Sequence, residues 1–140
     1  MQTDILAPAA ALAVWSIVML VWMAQTRFPA MKQAGIDIGE RTGGRGQDLD
    51  GVLPDKVNWK AHNYAHLMEQ PTLFYAVTVI LAIAGTGEVQ VIAAWAYTAL
   101  RVVHSIWQAT VNRIAVRLRL FQLSTLALAF LALSALFATI

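Results

Sequence analysis

Two groups of polar side chains interrupt otherwise apolar stretches of this 140-residue chain, and their spacing suggests chemistry. Asn58, His62, His66 and Glu69 follow one another at intervals of 4, 4 and 3. Arg101, His104, Gln108 and Asn112 follow at 3, 4 and 4. Both patterns put their members on one face of a helix. Imidazoles and a carboxylate can ligate a metal or move protons; a guanidinium can hold an anion. Three readings follow: polar contacts that join helices, a cavity for an anionic or polar ligand, or ligation of a metal or haem by His62, His66 and His104. A helical i, i+4 histidine pair is not specific for metal, and none is expected.

The two stripes are in register if their helices are antiparallel neighbours. Positions 69 and 101, 66 and 104, 62 and 108, and 58 and 112 pair, each summing to 170. Glu69 lies about 14 Å from the start of its apolar run, and Arg101 about 16 Å from Asn112, at 1.5 Å rise per residue. An ion pair between Glu69 and Arg101 is therefore expected. Pro71 is expected to kink the helix just after Glu69 and open space beside the stripe.

The elements that position these residues are membrane spans. Hydrophobic residues make up 59% of the chain and charged residues 13%, about half the proportion of a soluble domain. Four apolar runs, near 5–24, 61–84, 89–111 and 120–140, each approach the roughly 20 residues that cross a bilayer. The expected fold is all-α, a single integral membrane four-helix bundle over 1–140. The first run lacks a basic start and reads as a retained span rather than a signal peptide. With no cysteine, disulfides and thiol nucleophiles are excluded. Tyr64, Tyr75 and Tyr97 carry phenols able to donate to a thiolate, but read as interfacial or packing residues.

The stretch 27–60 is the longest polar segment. Its Gly-Gly-Arg-Gly at 43–46 lacks the lysine and Ser/Thr of a phosphate loop, so the segment reads as a flexible connector. It holds Arg27, Lys32, Arg41, Arg45, Lys56 and Lys60; the third connection holds Arg113, Arg117 and Arg119; the second holds no basic residue. The positive-inside rule then makes 27–60 and 112–119 cytoplasmic and both termini external.

The order and spacing of these features resemble the MAPEG family, the membrane-associated proteins of eicosanoid and glutathione metabolism. The resemblance spans nearly the whole chain. It rests on His66-Leu-Met-Glu69-Gln-Pro71-Thr-Leu-Phe74 and, as in bacterial members, on Arg101-Val-Val-His104-Ser and Asn112-Arg113-Ile-Ala-Val-Arg117. It implies a homotrimer in a bacterial inner membrane, with glutathione between protomers near the cytoplasmic side. On that resemblance Arg101 is the catalytic candidate, and Arg27, His62, His66, Glu69, His104, Gln108, Arg113 and Arg117 are the cofactor-binding candidates. His66 stands where the family pattern has asparagine, and His104 where a phenol would be offered.

Two functions are open. One is a glutathione-dependent transferase or peroxidase acting on small lipophilic electrophiles. The other is a non-enzymatic membrane protein that binds a lipid or amphiphile, or serves as an accessory subunit. Membrane lipid is an expected partner in both; nucleic acid in neither.

Overall fold

A computed structural model describes residues 3–140, and among them are five α-helices and one short 3-10 turn. Helix α1 covers Leu6–Gln33. Pro8 sits in its first turn, where a missing N–H leaves no helical bond unmade. The helix does not stop where the apolar run stops. It continues through Gln25, Arg27 and Pro29, because leaving the hydrocarbon does not end a helix; an end signal does. That signal is Gly35, left-handed at φ +71°. Gly35 N–H bonds Lys32 O at 3.1 Å and Ile36 N–H bonds Met31 O at 3.0 Å, the paired closure of a Schellman motif.

The connector is more ordered than a flexible reading allows. Gly46–Leu49 form a 3-10 turn, and Leu49 and Leu53 are buried. The buried Asn58 amide donates to Leu49 O at 3.0 Å and Leu53 O at 3.3 Å, tying the segment to the next helix.

The second span is two helices, α2 at Asp55–Leu67 and α3 at Gln70–Ala84. They break at Met68–Glu69, where Glu69 has φ −86° and ψ −98°. Pro71 explains the place. It cannot donate to the carbonyl of Leu67 and its ring crowds that carbonyl, so the interruption falls before Glu69 rather than after it. Helix α4 covers Glu88–Thr110 and α5 covers Ile114–Thr139. Helix α5 starts six residues earlier than the apolar run, with Arg117 and Arg119 in its first turns. Asn112, left-handed at φ +54°, makes the turn between them.

Among the described residues four stretches are long and apolar enough to cross a membrane, of 28, 30, 23 and 26 residues, the second being α2 with α3. Helix α4 packs against α5, α2 and α1, and α3 packs against α5 and α1. The side chains are sorted for a bilayer. Val14, Ile17, Val21, Ile92, Leu126 and Phe137 are exposed, whereas Ser16, Thr98, Arg101, His104, Ser105 and Gln108 are buried. Bonds between helices use this polarity: Trp15 Nε1 donates to Ser105 Oγ at 3.0 Å, and Thr98 Oγ1 to Pro8 O at 3.0 Å.

Candidate functional site

Arg101 is the centre of the buried polar region. It lies on α4 with 0% exposure. Its Nε donates to Tyr97 Oη at 3.1 Å, its Nη1 meets His66 Nδ1 at 3.3 Å, and its Nη2 donates to Gln70 Oε1. Its guanidinium also lies 5.2 Å from the Phe121 ring centre and 5.5 Å from that of Tyr97. Every one of these partners is neutral. Among the described residues no carboxylate lies within ion-pair distance; the ion pair found is Asp50–His62 at 2.8 Å.

The expected Glu69–Arg101 pair is therefore absent. Glu69 is exposed, and Gln70 takes the place beside Arg101. The reason is local. The i, i+4, i+7 argument needs an unbroken helix, and the break at Met68–Glu69 turns the following residues to another direction. Gln70 was not among the sequence candidates. It was visible as an amide inside an apolar run, but which of Glu69 and Gln70 faces inward depends on the break.

Arginine can only donate, so His66 Nδ1 accepts, and the ring proton resides on Nε2. His66 stacks on His104, centroids 4.8 Å apart and planes 20° from parallel. That is the one rung of the four-rung register that forms. His62 turns to Asp50, and Asn58 to the connector. Asn112 Oδ1 accepts from Arg117 Nη1 at 2.7 Å. Gln108 is buried with its Oε1 unpartnered, as is Oδ1 of Asn63, a residue not singled out from sequence. Asn63 is another amide in the second span, one turn before His66.

Five of the nine candidates line two clefts flanking α2, and Arg101, Glu69, Gln108 and Arg113 line neither. One, about 200 Å³, is lined by His66, His104, Arg117, Ile114, Leu118 and Phe121. The other, about 260 Å³, lies between α1, α2 and the connector and includes Arg27, His62, Asp50 and Tyr64. There Arg27 Nη2 donates to Gly46 O at 2.5 Å, while its Nε is buried without a partner. Arg113 is exposed and lines neither. Arg101 lies behind His66 and Phe121 rather than on a cleft wall. The three histidines do not converge, and among the described residues no set of three His, Cys, Asp or Glu side chains is placed to hold a metal.

A four-span all-α membrane protein with a polar region between its second and third spans is the class that this geometry defines. A family model described as the MAPEG family matches residues 5–137, and the chain belongs to that family. Comparison with curated proteins and with solved structures gave no match.

Proposed function

We propose that this membrane protein binds a thiol cofactor of the glutathione type and presents it to lipophilic electrophiles, as a transferase or peroxidase. The observation that carries this reading is Arg101, a fully buried cation whose partners are all neutral, next to a cleft that also holds Arg117. A charge inside a membrane protein is expensive and needs a counterpart. An anion in the cleft supplies it.

The donor set suits such a cofactor. His66, His104 and Arg117 would hold an anionic group in one cleft. Arg27 and His62 would take a second carboxylate in the other, with Arg113 at the membrane surface. The unpartnered Gln108 Oε1 can accept from an amide N–H. When bound, the thiol supplies the nucleophilic sulfur. The protein's part is to favour the anionic form through the positive field of Arg101 and Arg117, and to exclude water with Ile114, Leu118 and Phe121. At about 200 and 260 Å³, each cleft is below the roughly 300 Å³ at which ligand pockets begin, so a neighbouring protomer is needed to complete the enclosure. The homotrimer of the family would provide it, and Glu69, exposed on a lone protomer, would then face the cofactor or the neighbour. In this reading 1–140 acts as one bundle in a bacterial inner membrane, with 27–60 and 112–119 cytoplasmic.

One observation favours the non-enzymatic reading. Arg101 and Tyr97 are both 0% exposed, so neither lines a cleft from which it could touch a thiolate. Conjugation of glutathione to chlorodinitrobenzene by the detergent-purified protein separates the two. Turnover in the wild type, reduced at least roughly tenfold in Arg117→Gln, is expected, about the effect of removing one charged hydrogen bond. Binding of glutathione sulfonate without turnover would leave a binding protein. Neither binding nor turnover would end the thiol reading.

A further inference from the structure

We infer that Gln70 sets the charge selectivity of the His66–His104 cleft, by facing Arg101 with a neutral group that leaves its charge uncancelled. This goes beyond the thiol reading for the residue it names, and rests on that reading only for the identity of the anion. Gln70 is anchored at both ends of its amide. Its Oε1 accepts from Arg101 Nη2 and from Tyr97 Oη at 3.3 Å, and its Nε2 donates to Thr125 Oγ1 at 2.9 Å. Thr125 Oγ1 in turn donates to Phe121 O at 2.8 Å. Every donor in this chain points to an acceptor, so the amide orientation is determined by its partners.

A carboxylate was close at hand. Glu69 is the adjacent residue, yet the helix break leaves it exposed and brings the neutral amide to the guanidinium. Beyond Glu88 the chain has no acidic residue at all, while it carries Arg101, Arg113, Arg117 and Arg119. Glu88 stands in the first turn of α4, thirteen residues before Arg101, and nothing later in α4 or in α5 can neutralise Arg101. Its charge reaches the cleft through two residues that touch it and also line the wall, His66 and Phe121. With Ile114 and Leu118 alongside, the ligand class is a monoanionic group carried on an apolar or amphiphilic body.

The test is a comparison of full-length Gln70→Glu, Gln70→Met and wild type in detergent. Two readouts are taken: the melting midpoint without ligand, and the affinity for glutathione sulfonate. A carboxylate at 70 should neutralise Arg101. Gln70→Glu is expected to melt about 4 °C or more above wild type, and to lose that gain when Arg101→Met is added. It should also bind the probe at least tenfold more weakly, while Gln70→Met stays within threefold of wild type. A Gln70→Glu midpoint below wild type and unaffected by Arg101→Met would overturn the inference, as would unchanged probe binding in Gln70→Glu. If Gln70→Glu does not fold, a tenfold loss of binding in Gln70→Met overturns it, and retained binding supports it. If wild type ignores glutathione sulfonate, the thiol reading falls and the comparison is made with hexanesulfonate: binding at least tenfold weaker in Gln70→Glu supports the inference, and no binding or unchanged binding overturns it.

Discussion

Replacing Arg101 with methionine should weaken anion binding in the cleft about 30-fold while leaving the helices assembled. The magnitude comes from the geometry. Arg101 Nη1 is 3.3 Å from His66 Nδ1, and a ligand hydrogen-bonded to the far side of that ring would carry its charge about 8 Å from the guanidinium. At an effective dielectric of about 20, two unit charges at that separation attract by about 2 kcal/mol, or roughly 30-fold in Kd. The fold should persist because two effects oppose each other. Removing a desolvated cation relieves several kcal/mol of burial cost, whereas three hydrogen bonds to a charged group are lost. Methionine is long enough to fill much of the volume between Tyr97 and Phe121. The assay is calorimetric titration of glutathione sulfonate into wild type and Arg101→Met in the same detergent, with a thermal melt of each. A fall of less than threefold with both proteins folded would refute the reasoning, since Arg101 would then contribute nothing to the field in the cleft.

Three further outcomes are expected. Asn58→Ala removes both bonds that tie the connector to α2, and should cost about 1–3 kcal/mol and speed tryptic cleavage at Arg45. Asp50→Asn breaks an ion pair between half-exposed partners and should change stability by less than about 1 kcal/mol, read from the melting midpoint. The chain has no cysteine, so single cysteines introduced at Gln47 and Thr86 report topology without background. A membrane-impermeant maleimide added to intact cells should label the residue-86 variant and spare the residue-47 variant.

The spans themselves were legible, since apolar runs bounded by clustered Lys and Arg can hardly be read otherwise. Helix ends were less so. Hydropathy reports where hydrocarbon ends, whereas α1 ends at the left-handed Gly35 and α5 begins beside Asn112. The polar stripe of α4 was read from spacing alone, because that helix is continuous through Arg101, His104 and Gln108. The stripe of the second span was not, because Pro71 acts three residues upstream of itself. One interruption there exchanges Glu69 for Gln70, which changes the centre from an ion pair to an open cation. The docked connector was hidden for a related reason: its glycines and charges resemble a loose loop, and the side chains that hold it down, Arg27, Asn58 and His62, lie on the helices that flank it.

The central claim is that an anion completes the buried cation at the His66–His104 cleft. Its most direct test is titration of reduced glutathione into the detergent-purified wild-type protein and Arg117→Gln. Saturable binding that Arg117→Gln weakens at least tenfold is expected. No saturable binding by the wild type, or binding that Arg117→Gln leaves unchanged, would contradict it.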